Sequence, residues 1–255
     1  MPESSPHYIE FRGVSKAFDE HVVLTDISFQ VDPGETLIIL GRSGVGKSVS
    51  LGLIMGFIKP DSGRVFVAHQ DITGASEHDL LEIHKKVTMV FQSGALFDSL
   101  TVGENVGFPL EKHPELSQDD RDQIIDGMLE TLEISNLKDV MPGDLSTGMK
   151  RAVSIARALA AKPEAILYDE PTTMVDPLMS AHIGDLIKKL KVQLKLTSVV
   201  VTHDMALARK IGDRVMFLHE AHAAYFGPMS RIHEEGAPFI REFLDMDAMP
   251  GPVLA

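Results

Sequence analysis

Thr36-Leu37-Ile38-Ile39-Leu40 runs directly into Gly41-Arg42-Ser43-Gly44-Val45-Gly46-Lys47-Ser48. The first five residues form a continuous apolar run, the pattern of a strand buried on both faces of a parallel sheet. The next eight match G-x-x-x-x-G-K-[ST] in full, and Ser48–Phe57 then reads as a helix. Strand, glycine-rich turn and helix together make an anion cradle. Glycines let backbone N–H groups converge on a phosphate, and the helix adds its unpaired N–H groups and positive dipole end. In such a cradle Lys47 reaches the β- and γ-phosphates, and the Ser48 hydroxyl can ligate Mg²⁺.

A triphosphate site also needs a carboxylate for the metal. Asp169 ends the apolar run Ala165-Ile166-Leu167-Tyr168, at the carboxyl edge where ligands bind in open α/β sheets, and Glu170 follows directly. Adjacent carboxylates can divide the work, Asp169 holding Mg²⁺ and Glu170 polarising the attacking water.

Working outward, strands alternate with helices, which predicts an α/β fold with a mostly parallel sheet. Tyr8–Arg12 and Val22–Val31 read as strands of a small N-terminal antiparallel β layer, divided by the turn at Asp19–Glu20. Ser76 with Asp79 forms a capping box for a helix over Glu77–Lys85. From Gln92 to about Ala161 the pattern is helical. Ser117 caps a segment with Ile124, Ile125, Met128, Leu129 and Leu132 at helical spacing, and a further helix covers Lys150–Ala161. This is the candidate inserted helical subdomain. Asp176 and Pro177 start another helix, with a buried stripe at Ile183, Leu186, Ile187, Leu190 and Leu194. Arg214–Leu218 and Ala223–Phe226 predict a hairpin, although its turn, Glu220-Ala221-His222, lacks glycine. The expected division is a domain over 1–236, with the helical subdomain at about 92–161, followed by a C-terminal helix and tail over 237–255.

Composition narrows the classes. Of the 255 residues, 44% are hydrophobic and 24% charged, as in an ordinary globular protein with a sizeable core. The net charge of −13 argues against nucleic acid as a partner. There are no cysteines, which excludes disulfides and thiolate metal sites. Met1–Pro6 has neither the basic nor the apolar segment of a secretory signal, and no run of eighteen apolar residues occurs. The expectation is a cytoplasmic chain.

The order of the remaining motifs resembles that of an ABC ATPase: phosphate loop, Gln92 after the strand Val87–Phe91, Leu145-Ser146-Thr147-Gly148-Met149, Asp169-Glu170-Pro171, Asp176-Pro177, and Thr202-His203-Asp204. The resemblance covers about Tyr8 to Gly227 and implies an ABC-type P-loop core. It implies ATP stacked on Phe18, Gln92 touching Mg²⁺ and water, Glu170 as general base and His203 on the γ-phosphate. It further implies that Ser146 and Gly148 cap the phosphate held by a second copy of the chain, paired head to tail, with Asp176 at the seam. Thr147 and Met149 depart from the family's usual Gly and Gln.

Gln92-Ser93-Gly94-Ala95-Leu96-Phe97 and Asn105-Val106-Gly107-Phe108-Pro109-Leu110 are similar to the ATPase subunits of Mla-type phospholipid transport systems. That likeness implies a multi-spanning permease docking near Gln92–Leu100, where Phe97 and Leu100 are apolar. It also implies an MCE-type lipid-binding subunit, and a peripheral place on the cytoplasmic face of a bacterial inner membrane. An importer of amino acids is the nearer alternative. A protein acting on ribosomes or DNA is the more distant one.

Overall fold

A computed structural model describes residues 4–246. Two sheets organise it. The strands are β1 (Ile9–Phe18), β2 (His21–Val31), β3 (Thr36–Leu40), β4 (Ser62–Val67), β5 (Gln70–Asp71), β6 (Val87–Val90), β7 (Ala165–Asp169), β8 (Thr197–Val201), β9 (Arg214–His219) and β10 (His222–Pro228). A four-stranded antiparallel layer has the order β2-β1-β4-β5, and a six-stranded sheet has the order β10-β9-β3-β8-β7-β6. In the second sheet only the edge strand β10 is antiparallel.

Strand β3 lies inside that sheet with all five residues buried, which is why its sequence lacks polar alternation. Its side chains serve two cores. Ile38 and Leu40 face one apolar cluster together with Ile166, Tyr168 and Val200; Leu37 and Ile39 face the other with Leu167, Val199 and the antiparallel layer. The sheet is thus the middle of three layers.

The helices are α1 (Lys47–Ile54), α2 (Glu77–Lys86), α3 (Val102–Gly107), α4 (Gln118–Thr131), α5 (Thr147–Ala160), α6 (Pro177–Leu194), α7 (Met205–Ile211), α8 (Ile232–Glu235) and α9 (Pro238–Met246). Capping boxes at Ser76/Asp79 and Ser117/Asp120 start α2 and α4 where the sequence places them. The helices α3, α4 and α5 share their buried residues with the sheet-facing cluster, so this segment is packed onto the core. Helix α9 adds Ile240 and Leu244 to the same cluster, and the rings of Phe239 and Phe243 meet Phe217.

Two expectations need correction, and a third, the hairpin, holds. Helix α5 starts at Thr147 rather than Lys150, because Ser146 is itself the cap: its Oγ accepts from the Met149 N–H at 3.3 Å. Leu194 is not part of the buried stripe of α6. It is 51% exposed, since the helix ends there and Lys195 turns left-handed before any element covers that position. The hairpin turn forms without glycine: Glu220 and Ala221 both take positive φ, at 46° and 65°. The Thr25 N–H donates to the Ala221 carbonyl at 2.8 Å, which pins this unfavourable turn to strand β2. The stretch 247–255 of the expected tail lies outside the described residues.

Candidate functional site

The phosphate loop joins β3 to α1. Gly46 caps α1 with φ of 103°, and a Cβ there would lie 2.6 Å from Val23 Cγ1, so only glycine fits. The next residue, Lys47, is 6% exposed although charged. Its Nζ donates to the carbonyls of Gly41 at 2.9 Å and Arg42 at 3.1 Å, and stands 3.5 Å from Glu170 Oε1. The cation is thus held folded back over the loop that precedes it.

Ser48 Oγ donates to Asp169 Oδ1 at 2.9 Å, joining the start of α1 to the end of β7. Burial pushes the Asp169 carboxyl above its ordinary range, against the opposing pull of Ser48. Two hard oxygen donors with an unrelieved carboxylate fit Mg²⁺. Among the described residues no group of three or more His, Asp or Glu could hold a metal by itself.

Glu170 sits at φ 46°, a left-handed conformation that is costly for a residue with a Cβ, and its N–H is bonded to the Val201 carbonyl. Its Oε2 accepts from Thr173 Oγ1 at 3.0 Å and lies 2.9 Å from His203 Nδ1. Three elements therefore converge on one carboxylate: the phosphate loop through Lys47, the turn after β7 through Thr173, and the end of β8 through His203. The adjoining turn is fixed by Thr172 Oγ1, which donates to Asp204 Oδ2 at 2.8 Å, while Asp204 caps α7.

A cavity of about 620 Å³ opens over these groups. Among its lining residues are Phe18, Lys47, Ser48, Gln92, Glu170 and His203, so sequence-distant candidates share one space. Of the other loop positions Arg42, Ser43, Gly44 and Gly46 also line it, whereas Gly41 and Val45, like Asp169, do not. Phe18, at the end of β1, is half exposed, with Lys16 Nζ 5.2 Å from its ring centre. Ser146, Gly148 and Asp176 are not among the lining residues. They lie together elsewhere: Asp176 caps α6 by accepting from the Met179 N–H at 2.9 Å, and Met179 packs so closely on Gly148 that a Cβ there would fall 2.1 Å from its Cγ. Thr147 is exposed, and Met149 packs against the main apolar cluster, which is why a side chain without hydrogen bonds serves there.

The sequence reading missed Thr173 and Phe243, both of which line the cavity. A hydroxyl three residues after Glu170 was a usable signal for Thr173. Nothing local marks Phe243, which arrives from α9.

Asp169 offers a stability test. Its folded pKa is raised, so ionising it costs stability as pH rises through that range. Asp169→Asn keeps an acceptor for Ser48 and never ionises. The nucleotide-free variant is expected to melt above wild type at neutral pH, with ATPase activity lost. A lower melting temperature would contradict the reading of Asp169 as a strained carboxylate.

Comparison with known proteins gives the family. The family model described as ABC transporter matches residues 24–173. The chain belongs to the ABC transporter family and is an ATPase of that type. It is 34% identical over 253 residues to the intermembrane phospholipid transport system ATP-binding protein MlaF of Escherichia coli K12, covering 99% of this chain and 94% of that protein. It is 32% identical over 237 residues to the "Probable ribonucleotide transport ATP-binding protein mkl" of Mycobacterium tuberculosis H37Rv, covering 93% of this chain and 66% of that protein. The chain therefore spans about two thirds of the mycobacterial relative's length. Among solved structures, a dimeric ATP-binding cassette in a post-hydrolysis state with ADP and Pi matches with TM-score 0.79 and 31% identity, covering 87% of this chain and 98% of that one. The cbiO1 cassette from Clostridium perfringens, part of the cbiONQ complex, matches with TM-score 0.83 and 27% identity over 91% of this chain and 92% of that one. No helix among the described residues is long and apolar enough to cross a membrane.

Proposed function

We propose that this chain is the ATP-hydrolysing subunit of a phospholipid transport system of the MlaF kind. The observation that carries the catalytic part is the convergence of Lys47, Thr173 and His203 on Glu170, beside the Ser48–Asp169 pair. In this reading the adenine lies on Phe18 and the triphosphate on the loop Gly41–Ser48. Lys47 and His203 hold the γ-phosphate. Glu170 takes a proton from the attacking water, and Gln92 orients that water. Ser48, Asp169 and Gln92 hold Mg²⁺, which supplies charge neutralisation at the phosphate oxygens.

Ser146 and Gly148 do not line the cavity of their own chain. A second copy, turned head to tail, supplies them, with Asp176 at the seam. Residues 92–161 act as the helical subdomain of the cassette over 1–236, and Phe97, 42% exposed and packed at a tilt against the Phe108 ring, belongs to the permease-docking segment near Gln92–Leu100. The lipid reading rests on the relation to MlaF and places the chain on the cytoplasmic face of a bacterial inner membrane, in a complex with an MCE-type lipid-binding subunit. The mycobacterial relative favours a second reading, with a ribonucleotide as cargo.

Purification of the full chain from native membranes tests both. Recovery of a permease whose liposomes move phospholipid on ATP addition supports the proposal. Ribonucleotide uptake without lipid movement supports the alternative, and recovery of ribosomes or DNA contradicts both.

The base stack has its own test. Phe18→Ala is expected to raise KM for ATP about three- to tenfold with kcat nearly unchanged, since stacking acts equally on substrate and transition state. An unchanged KM removes Phe18 from the site.

A further inference from the structure

The segment 91–95, between β6 and the docking residues, is irregular, and its carbonyls have no strand to bond to. One helix supplies side-chain donors to four of them, and the Phe91 carbonyl accepts the Gly94 N–H at 2.9 Å as well. The Arg151 guanidinium, 1% exposed, donates through Nη1 to the Phe91 carbonyl and through Nη2 to the Gln92 carbonyl. Ser154 Oγ donates to the Gly94 carbonyl at 2.6 Å. Arg157 donates to Gly94 at 3.2 Å and to Ala95 at 2.8 Å. These three side chains are spaced three apart on α5, so they share one helix face. Arg157 also lies 5.6 Å from the centre of the Phe97 ring, at the docking segment. The N-terminal end of the same helix carries Ser146 and Gly148.

We propose that Arg151 is a positioning residue for Gln92: its guanidinium fixes the backbone from which the Gln92 side chain reaches the reacting phosphate, so Gln92 follows every movement of α5. The proposal rests on the reading that Gln92 works at the γ-phosphate. A planar fork suits the task, because two carbonyls one residue apart need two parallel donors, and an ammonium offers no such pair. Engagement of Ser146 by a second copy, or of Phe97 by a permease, then shifts Gln92 through α5. Coupling of this kind needs no contact between Gln92 and either partner.

The test is a double-mutant cycle on steady-state ATPase of the full chain, with ATP affinity measured alongside. Arg151→Met is expected to lower kcat about tenfold or more with ATP affinity changed less than about threefold. In a Gln92→Ala background the same change is expected to cost less than about twofold, because the group it positions is gone. Arg151→Lys should fall between. Equal losses in both backgrounds, or a loss that tracks ATP affinity, overturn the proposal as a folding effect. An unchanged kcat in Gln92→Ala alone overturns the premise about Gln92, a separate result. If Arg151→Met does not fold, Arg151→Lys in the two backgrounds decides in the same way, since it keeps the charge and loses the paired donors to the Phe91 and Gln92 carbonyls.

Discussion

Glu170→Gln is expected to bind ATP within about threefold of wild type and to turn it over about 10²–10⁴ times more slowly. The geometry gives the reason for both halves. An amide keeps an oxygen for the Thr173 hydroxyl, so the turn after β7 stays in place. It has no basic lone pair for the proton of the attacking water, so the chemical step loses its acceptor. Removing the charge also frees Lys47 from a carboxylate 3.5 Å away, which leaves the ammonium more available to phosphate. ATP should therefore hold two copies together in this variant, and size-exclusion chromatography with ATP should show a dimer that wild type passes through only briefly. Retention of a tenth or more of wild-type kcat would remove Glu170 from the role of base.

Lys47→Ala is expected to raise the Kd for ATP about 100-fold or more, measured by calorimetry on chain whose circular dichroism matches wild type. Two effects add. The triphosphate loses its closest cation, and the carbonyls of Gly41 and Arg42 lose the donor that shapes the loop. The second effect predicts a lower melting temperature as well, since Glu170 is then a nearly buried carboxylate with one fewer cation beside it. Wild-type affinity in a folded Lys47→Ala chain would sink the assignment of the loop.

The sequence was most informative where chemistry is local. Strand β3, the glycine loop, the capped starts of α2, α4 and α6, and the two carboxylates after β7 each carry their signal within a few residues. The limits of Thr36–Leu40 were legible because both ends are marked, by Pro33-Gly34 and by Gly41. Features decided by long-range packing were not legible. Arg151 reads as an ordinary basic residue on a helix; only the fold shows that its face meets the carbonyls of Phe91 and Gln92, about sixty residues earlier in the chain. Phe243 reaches the cavity from a helix whose docking on Phe217 has no counterpart in local pattern. Leu194 failed in the other direction. Its spacing fits the apolar stripe, yet it is the last residue of α6 and stays half exposed. At Ser146 the same residue type served two readings, anion contact and helix cap, and the cap fixes where α5 begins.

The bonds from Lys47 to Gly41 and Arg42, and from Ser48 to Asp169, carry a consequence for the cycle as a whole. In the proposed reading, the groups that would meet a triphosphate already have partners within the chain. Arrival of nucleotide is then a change of partners, in which each new bond replaces an old one of similar kind. Departure of ADP and phosphate runs the exchange backwards, and the side chains fall back onto neighbours a few ångströms away. A machine built this way resets without rebuilding its loop, so the fold itself supplies the recoil between one stroke and the next.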